Sequence, residues 1–131
     1  QGLLSPLAAS SNVVVHNGVS DEEYAELLES AHALVTASRA EGYGLPVVEA
    51  QAAGCPAVIS DIDIFREIAP HAVLAPVTED PQADAPAWVE AIRSLEDDAV
   101  RDRAILKGLQ DASHYSWRDS ALKLIRIVRG L

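Results

Sequence analysis

Two hydrophobic periods alternate along the chain, and the switches between them lay out its elements. The run Val13-Val14-Val15-His16 is apolar and β-branched and predicts a strand, closed by the turn Asn17-Gly18. Ser20 and Glu23 then precede Tyr24, Leu27, Leu28 and Ala31, which recur at helical spacing. This is a capping box ahead of a one-faced helix: the Ser20 hydroxyl and the Glu23 carboxylate each satisfy an amide left open at the helix start. Residues 33–37 form a continuous apolar run that predicts a buried strand, and a helix follows from near Leu45 to Ala53, with Gly54 as a left-handed stop. Pro56 blocks any continuation, residues 57–60 predict a strand, residues 61–68 a loop with one short helix, and residues 72–74 a last short strand. Prolines at 76, 81 and 86 predict a loop, and helix returns from Trp88. Val89, Ile92 and Leu95 form one stripe there, Val100, Ile105 and Leu109 a second, and Ala121, Leu122, Leu124, Ile125 and Val128 a third. Strand and helix alternate through the first half, which predicts an α/β fold on a parallel sheet, without internal repeats.

Composition narrows the class of partner. The 131 residues suffice for a single domain, 1–131, with a real core, and 20 acidic against 10 basic residues leave a formal charge of −10. Such a chain is a poor match for nucleic acid or an anionic membrane, which reward clustered Lys and Arg, although a nucleotide's few charges can be met locally. Cys55 stands alone, between a glycine and a proline ahead of a strand, and reads as a buried core thiol suited to a reducing compartment. No apolar run approaches the ~20 residues that span a bilayer, so a cytoplasmic location is expected. The chain opens on Gln1 and lacks methionine, and residues 1–11 read as a loose leader of a piece from a longer protein.

The chemistry concentrates in Arg39-Ala-Glu41-Gly42-Tyr43-Gly44-Leu45-Pro46-Val47-Val48-Glu49-Ala50. This loop leaves the carboxyl end of a predicted strand, where open α/β sheets bind ligands. Gly42 and Gly44 are expected to give the turn its freedom in φ, and Pro46 suits a first helical turn, where its missing N–H would be unbonded anyway. The helix start offers open amides and the positive end of the dipole to an anion, while Glu41 and Glu49 offer acceptors to a polyol. A bare pair of glutamates separated by seven residues is more simply a solvated first-turn charge and a loop charge. Gly42-x-Gly44 is no dinucleotide fingerprint, since Val47 holds the third glycine position. His16, His32, His71 and His114 lack metal-site spacing, Arg39 and Arg66 are ordinary exposed arginines unless they reach a phosphate, and Asp61 and Asp63 are the nearest approach to a metal pair.

The segment Glu41-Gly-Tyr-Gly-Leu-Pro-Val-Val-Glu49-Ala closely resembles the E-x7-E signature of the retaining GT-B glycosyltransferases of group 1. Val19-Ser20-Asp21-Glu22-Glu23-Tyr24 is similar to the family's preceding helix start, Ala53-Gly54-Cys55-Pro56-Ala57-Val58-Ile59-Ser60 to its following strand, and Tyr115-Ser116-Trp117-Arg118 to its step into a last helix. The resemblance implies a partial doubly wound, Rossmann-like sheet: the carboxyl-terminal half of the donor-binding domain. It implies that Glu49 holds the ribose hydroxyls of a nucleotide diphosphate sugar and that Glu41, as the catalytic carboxylate, lies against the transferred sugar. It further implies that the amides of Tyr43, Gly44, Leu45 and Val47 contact sugar and diphosphate, and that Val19 lies near the base. Transfer with retention would need no classical base and no metal or other cofactor. The sugar, lipid or glycan acceptor would be met by an amino-terminal domain that this chain does not contain, in a larger protein that is cytoplasmic or peripheral at the inner face of a membrane.

Departures from the pattern carry expectations too. The family's diphosphate-neutralising arginine and lysine have no counterpart here, nor do the two strands that should separate residues 13–16 from residues 34–37. The strand at 34–37 should therefore show a bare edge. The run at 13–16 should pair non-natively with 34–37, exchange with a second copy, or leave residues 1–16 poorly ordered, and these 131 residues alone should show no turnover. The competing reading is a catalytically silent scaffold that kept the fold.

Overall fold

A computed structural model describes residues 12–130 of the chain, so the leader expected at 1–11 lies outside the described residues. Helix α1 (Asp21–Ser30) starts on the predicted capping box, with the Glu23 amide donating to the Ser20 hydroxyl at 3.2 Å and the Ser20 amide to Glu23 Oε2 at 2.9 Å. Strand β1 (Leu34–Thr36) leads through the glycine loop to α2 (Leu45–Ala52), then β2 (Ala57–Ser60), α3 (Asp63–Ile68) and β3 (Val73–Ala75). Three helices close the order: α4 (Pro81–Ser94), α5 (Asp98–Ala112) and α6 (Trp117–Arg129).

The three strands are parallel and lie in chain order, with Leu34 opposite Ala57 and Val58 opposite Val73. Central β2 is wholly buried, and its period of two feeds both faces of the sheet. Ala57 and Ile59 pack with Val47, Phe65, Ile68 and Ala69, whereas Val58 packs with Ala75 and Leu95 beneath α4. Leu28, Ala50 and Cys55 join α1 to α2. Cys55 is the buried thiol the sequence predicts, and burial pushes its ionisation up, which keeps it unreactive.

Four expectations need correction. Residues 13–16 carry no strand: Val14 is 75% exposed and no ladder forms among the described residues, because a β-branched run becomes a strand only where a neighbouring strand pairs with it. β1 is the bare edge strand expected, with partners among the described residues only on the β2 side, but it is half-exposed and not buried, with Val35 46% exposed. The segment expected as a loop up to Trp88 turns helical at Pro81. Asp80 caps it, accepting from the amides of Gln82 and Ala83; Pro81 sits where an amide would be unbonded, and Pro86 forfeits one hydrogen bond inside the second turn. Finally, Gly42 is not among the positive-φ glycines, so the loop takes its left-handed step at Gly44 alone, with φ of +83°.

The last apolar stripe forms as predicted, on a helix capped by Ser116, but no residue of α6 is buried. α5 instead packs closely on α2, where Gly108 faces Gln51 so tightly that a Cβ would lie 3.1 Å from Gln51 Cγ. Asp111 on α5 accepts from the His71 amide at 3.1 Å and pairs with His71 Nδ1 at 2.7 Å, and Arg101 bonds His32, so these two histidines are structural.

Candidate functional site

The site follows from one turn. After β1, the chain must reverse onto the sheet, and Gly44 does so in a left-handed conformation pressed against Phe65 and Ile68; an added Cβ would stand 2.7 Å from Phe65 Cε1. Helix α2 then begins with Leu45, with Pro46 in its first turn. The amides of Tyr43, Gly44 and Leu45 take no hydrogen-bond partner among the described residues. Val47, expected to offer a fourth amide, does not: its N–H donates to the Gly44 carbonyl at 3.0 Å as the first turn tightens, and its side chain, 1% exposed, fills the core. Three open amides at the positive end of a helix dipole remain, a setting that favours an anion.

Glu41 and Glu49, both exposed, flank these amides along the chain. Each accepts one hydroxyl hydrogen. Ser38 Oγ donates to Glu41 Oε1 at 2.6 Å, and Thr36 Oγ1, 3.3 Å behind, then serves as donor to Ser38. Tyr24 on α1 donates to Glu49 Oε2 at 3.3 Å. Burial first, and the Glu49 charge second, push the Tyr24 phenol up, so it stays protonated and remains the donor. Ser38 lies within reach of sequence reasoning, three residues before Glu41; Tyr24, 25 positions from Glu49, carries no local signal and is found only by folding.

A groove of about 360 Å³ opens between α2 and the start of α6, walled by Tyr43, Leu45, Glu49, Tyr115 and Trp117. Tyr43 and Tyr115 meet edge to face in it, with centroids 6.1 Å apart. Thus Tyr43, Leu45 and Glu49 share one cavity, Glu41 stands outside its walls, and Val19 lies half-buried just ahead of the Ser20 cap. Arg39 pairs with Glu79 at 3.1 Å, and Arg66 binds Asp61 at 2.6 Å and Asp63 at 3.5 Å, holding the Asp61 carboxyl below its usual range. Among the described residues, no three His, Cys, Asp or Glu side chains gather as metal ligands, and no helix is long and apolar enough to cross a membrane.

A parallel α/β sheet with a left-handed glycine turn leading from a strand end into an amide-open helix, flanked in sequence by two carboxylates, defines a partial Rossmann-like domain. The chain belongs to the glycosyl transferases group 1, whose family pattern it matches over residues 3–110. It is 33% identical over 107 residues to the O-antigen chain mannosyltransferase B of Escherichia coli, covering 82% of this chain and 27% of that protein. It is 34% identical over 96 residues to the O-antigen chain mannosyltransferase RfbU of Salmonella typhimurium, covering 73% and 26% respectively. It is 31% identical over 128 residues to the D-inositol 3-phosphate glycosyltransferase 1 of Catenulispora acidiphila, covering 97% and 30%. The chain therefore spans between about a quarter and a third of the length of these curated relatives.

Proposed function

We propose that this chain is the donor-binding part of a retaining glycosyltransferase that takes a sugar from a nucleotide diphosphate sugar. The observation that carries the reading is the set of three open amides at the start of α2 between the exposed carboxylates of Glu41 and Glu49. The amides and the helix dipole hold the diphosphate, Glu49 accepts the vicinal ribose hydroxyls, and Glu41 faces the transferred sugar. In the reaction, the anomeric C–O bond to the diphosphate breaks and a C–O bond to the acceptor forms on the same face. The acceptor proton passes to the departing diphosphate oxygen, so no side-chain base is used and no metal is called for. Relatives named as mannosyltransferases favour a mannosyl donor as the first to be tried.

Binding tests the reading directly. Calorimetric titration of the full-length protein with UDP, GDP and ADP, each against its monophosphate, should pick out one diphosphate. Glu49→Gln should then weaken that ligand by ~1.5–3 kcal/mol, the worth of hydrogen bonds to a charged group, or roughly tenfold to more than a hundredfold in Kd. An unchanged Kd removes Glu49 from the site. If none of the three diphosphates binds, the fold is serving as a silent scaffold instead.

A further inference from the structure

The Glu41 carboxylate on the loop and the Glu49 carboxylate on α2 are each held by a hydroxyl from outside the glycine turn, and the two hydroxyls differ in origin. Tyr24 belongs to α1, where its ring packs beside Leu28, Ala50 and Cys55, and only its hydroxyl leaves the apolar cluster to reach Glu49. Ser38 follows β1 directly and stands at the end of a line of hydroxyls that begins at Thr36, the last residue of that strand. The Thr36 carbonyl in turn accepts from Ser60 Oγ at 3.5 Å, which ties this line to the buried central strand. An exposed glutamate is otherwise free to sample several rotamers, at an entropic cost when a ligand fixes it. A hydroxyl that occupies one carboxylate oxygen beforehand removes part of that cost and leaves the other oxygen turned toward the ligand.

We infer that Tyr24 and Ser38 are positioning residues for the two carboxylates, Tyr24 setting Glu49 for the ribose diol of the donor and Ser38 setting Glu41 for the transferred sugar. This rests on the function proposed above and goes beyond it by dividing the two tasks between two hydroxyls. The division makes the effects separable. Loss of the Tyr24 hydroxyl acts on a contact made equally in ground and transition states, so it moves KM; loss of the Ser38 hydroxyl disturbs a group that matters most at the transition state, so it moves kcat.

The experiment is steady-state kinetics of the full-length protein with the diphosphate sugar whose nucleotide binds. Tyr24→Phe keeps the ring and its packing, and should raise donor KM about 3- to 10-fold with kcat within about twofold. It should also narrow the preference for the ribonucleoside diphosphate over its 2′-deoxy counterpart, which a purely structural tyrosine would leave unaltered. Ser38→Ala should lower kcat about tenfold with donor KM within about twofold, and Ser38→Thr, which restores a hydroxyl, should recover most of it. Glu49→Gln and Glu41→Gln serve as references. If those two act as proposed, but Tyr24→Phe and Ser38→Ala leave both constants unchanged or shift both together with a fall in Tm, the inference is overturned while the function stands. If the two glutamate variants are themselves silent, the function fails and the inference falls with it.

Discussion

Glu41→Gln is expected to lower kcat by roughly 10²- to 10³-fold while the donor Kd moves by no more than a few-fold, the largest kinetic effect expected of any substitution in the loop. Glutamine has the size of glutamate and can still accept from Ser38, so the exchange removes charge and little else. In the proposed transfer with retention, positive charge would grow at the anomeric carbon as the bond to the diphosphate lengthens. A carboxylate held beside that carbon attracts the transition state far more than the bound donor, and attraction gained only there raises turnover without tightening binding. The check is a paired measurement of kcat and donor Kd on the full-length protein. A kcat within about twofold of the parent would mean that Glu41 is a solvated loop charge, as a bare glutamate at this position would be.

The second large effect falls on the fold. Gly44→Ala meets two penalties at once: a φ of +83°, which costs an L residue ~1–2 kcal/mol, and a Cβ 2.7 Å from Phe65 and 2.9 Å from Ile68. Both neighbours are fully buried, so neither can step aside without disturbing the cluster that also holds Ile59 and Val47, and overpacking of this kind adds ~1–3 kcal/mol. A total near 3–4 kcal/mol corresponds to a fall in Tm on the order of 10 °C. Gly42→Ala is the internal control. Its Cβ would meet open space and its φ is not positive, so its Tm should remain within a degree or two of the parent, roughly the reach of a surface substitution. Differential scanning calorimetry of the two variants side by side decides it; equal losses would show that the loop, and not the contact with Phe65, is what the substitution disturbs.

Local chemistry is the part of this structure that can be read from residues alone. Ser20 and Glu23 announce α1, and the Gly54-Cys55-Pro56 break places β2 at its observed bounds, because each depends on groups a few positions apart. Pro81 and Pro86 mislead for the same reason. A proline is a stop signal only if the amide it lacks was needed, and Asp80, by capping the helix one residue earlier, makes the first of them harmless. Residues 13–16 mislead differently: β-branched residues favour a strand, but a strand exists only with a neighbour in register, which no local pattern supplies. At the site, the loop and its two carboxylates were legible. The engagement of the Val47 amide and the reach of Tyr24 across to Glu49 were not, since the first depends on how tightly a helical turn closes and the second on the packing of α1 against α2.

Because Gly108 has no side chain, α5 seats directly on Gln51, and Gln51 lies about 200° around α2 from Glu49. The seat of that helix and its groove-facing side are thus answerable to different residues. Substitutions at exposed Leu45 or Glu49 alter the groove while the helix keeps its place. A bulkier residue at position 108 would do the reverse, pushing Gln51 and tilting every group on α2 together. Changes to the groove and changes to the packing can thus act on this helix almost independently, one from each side.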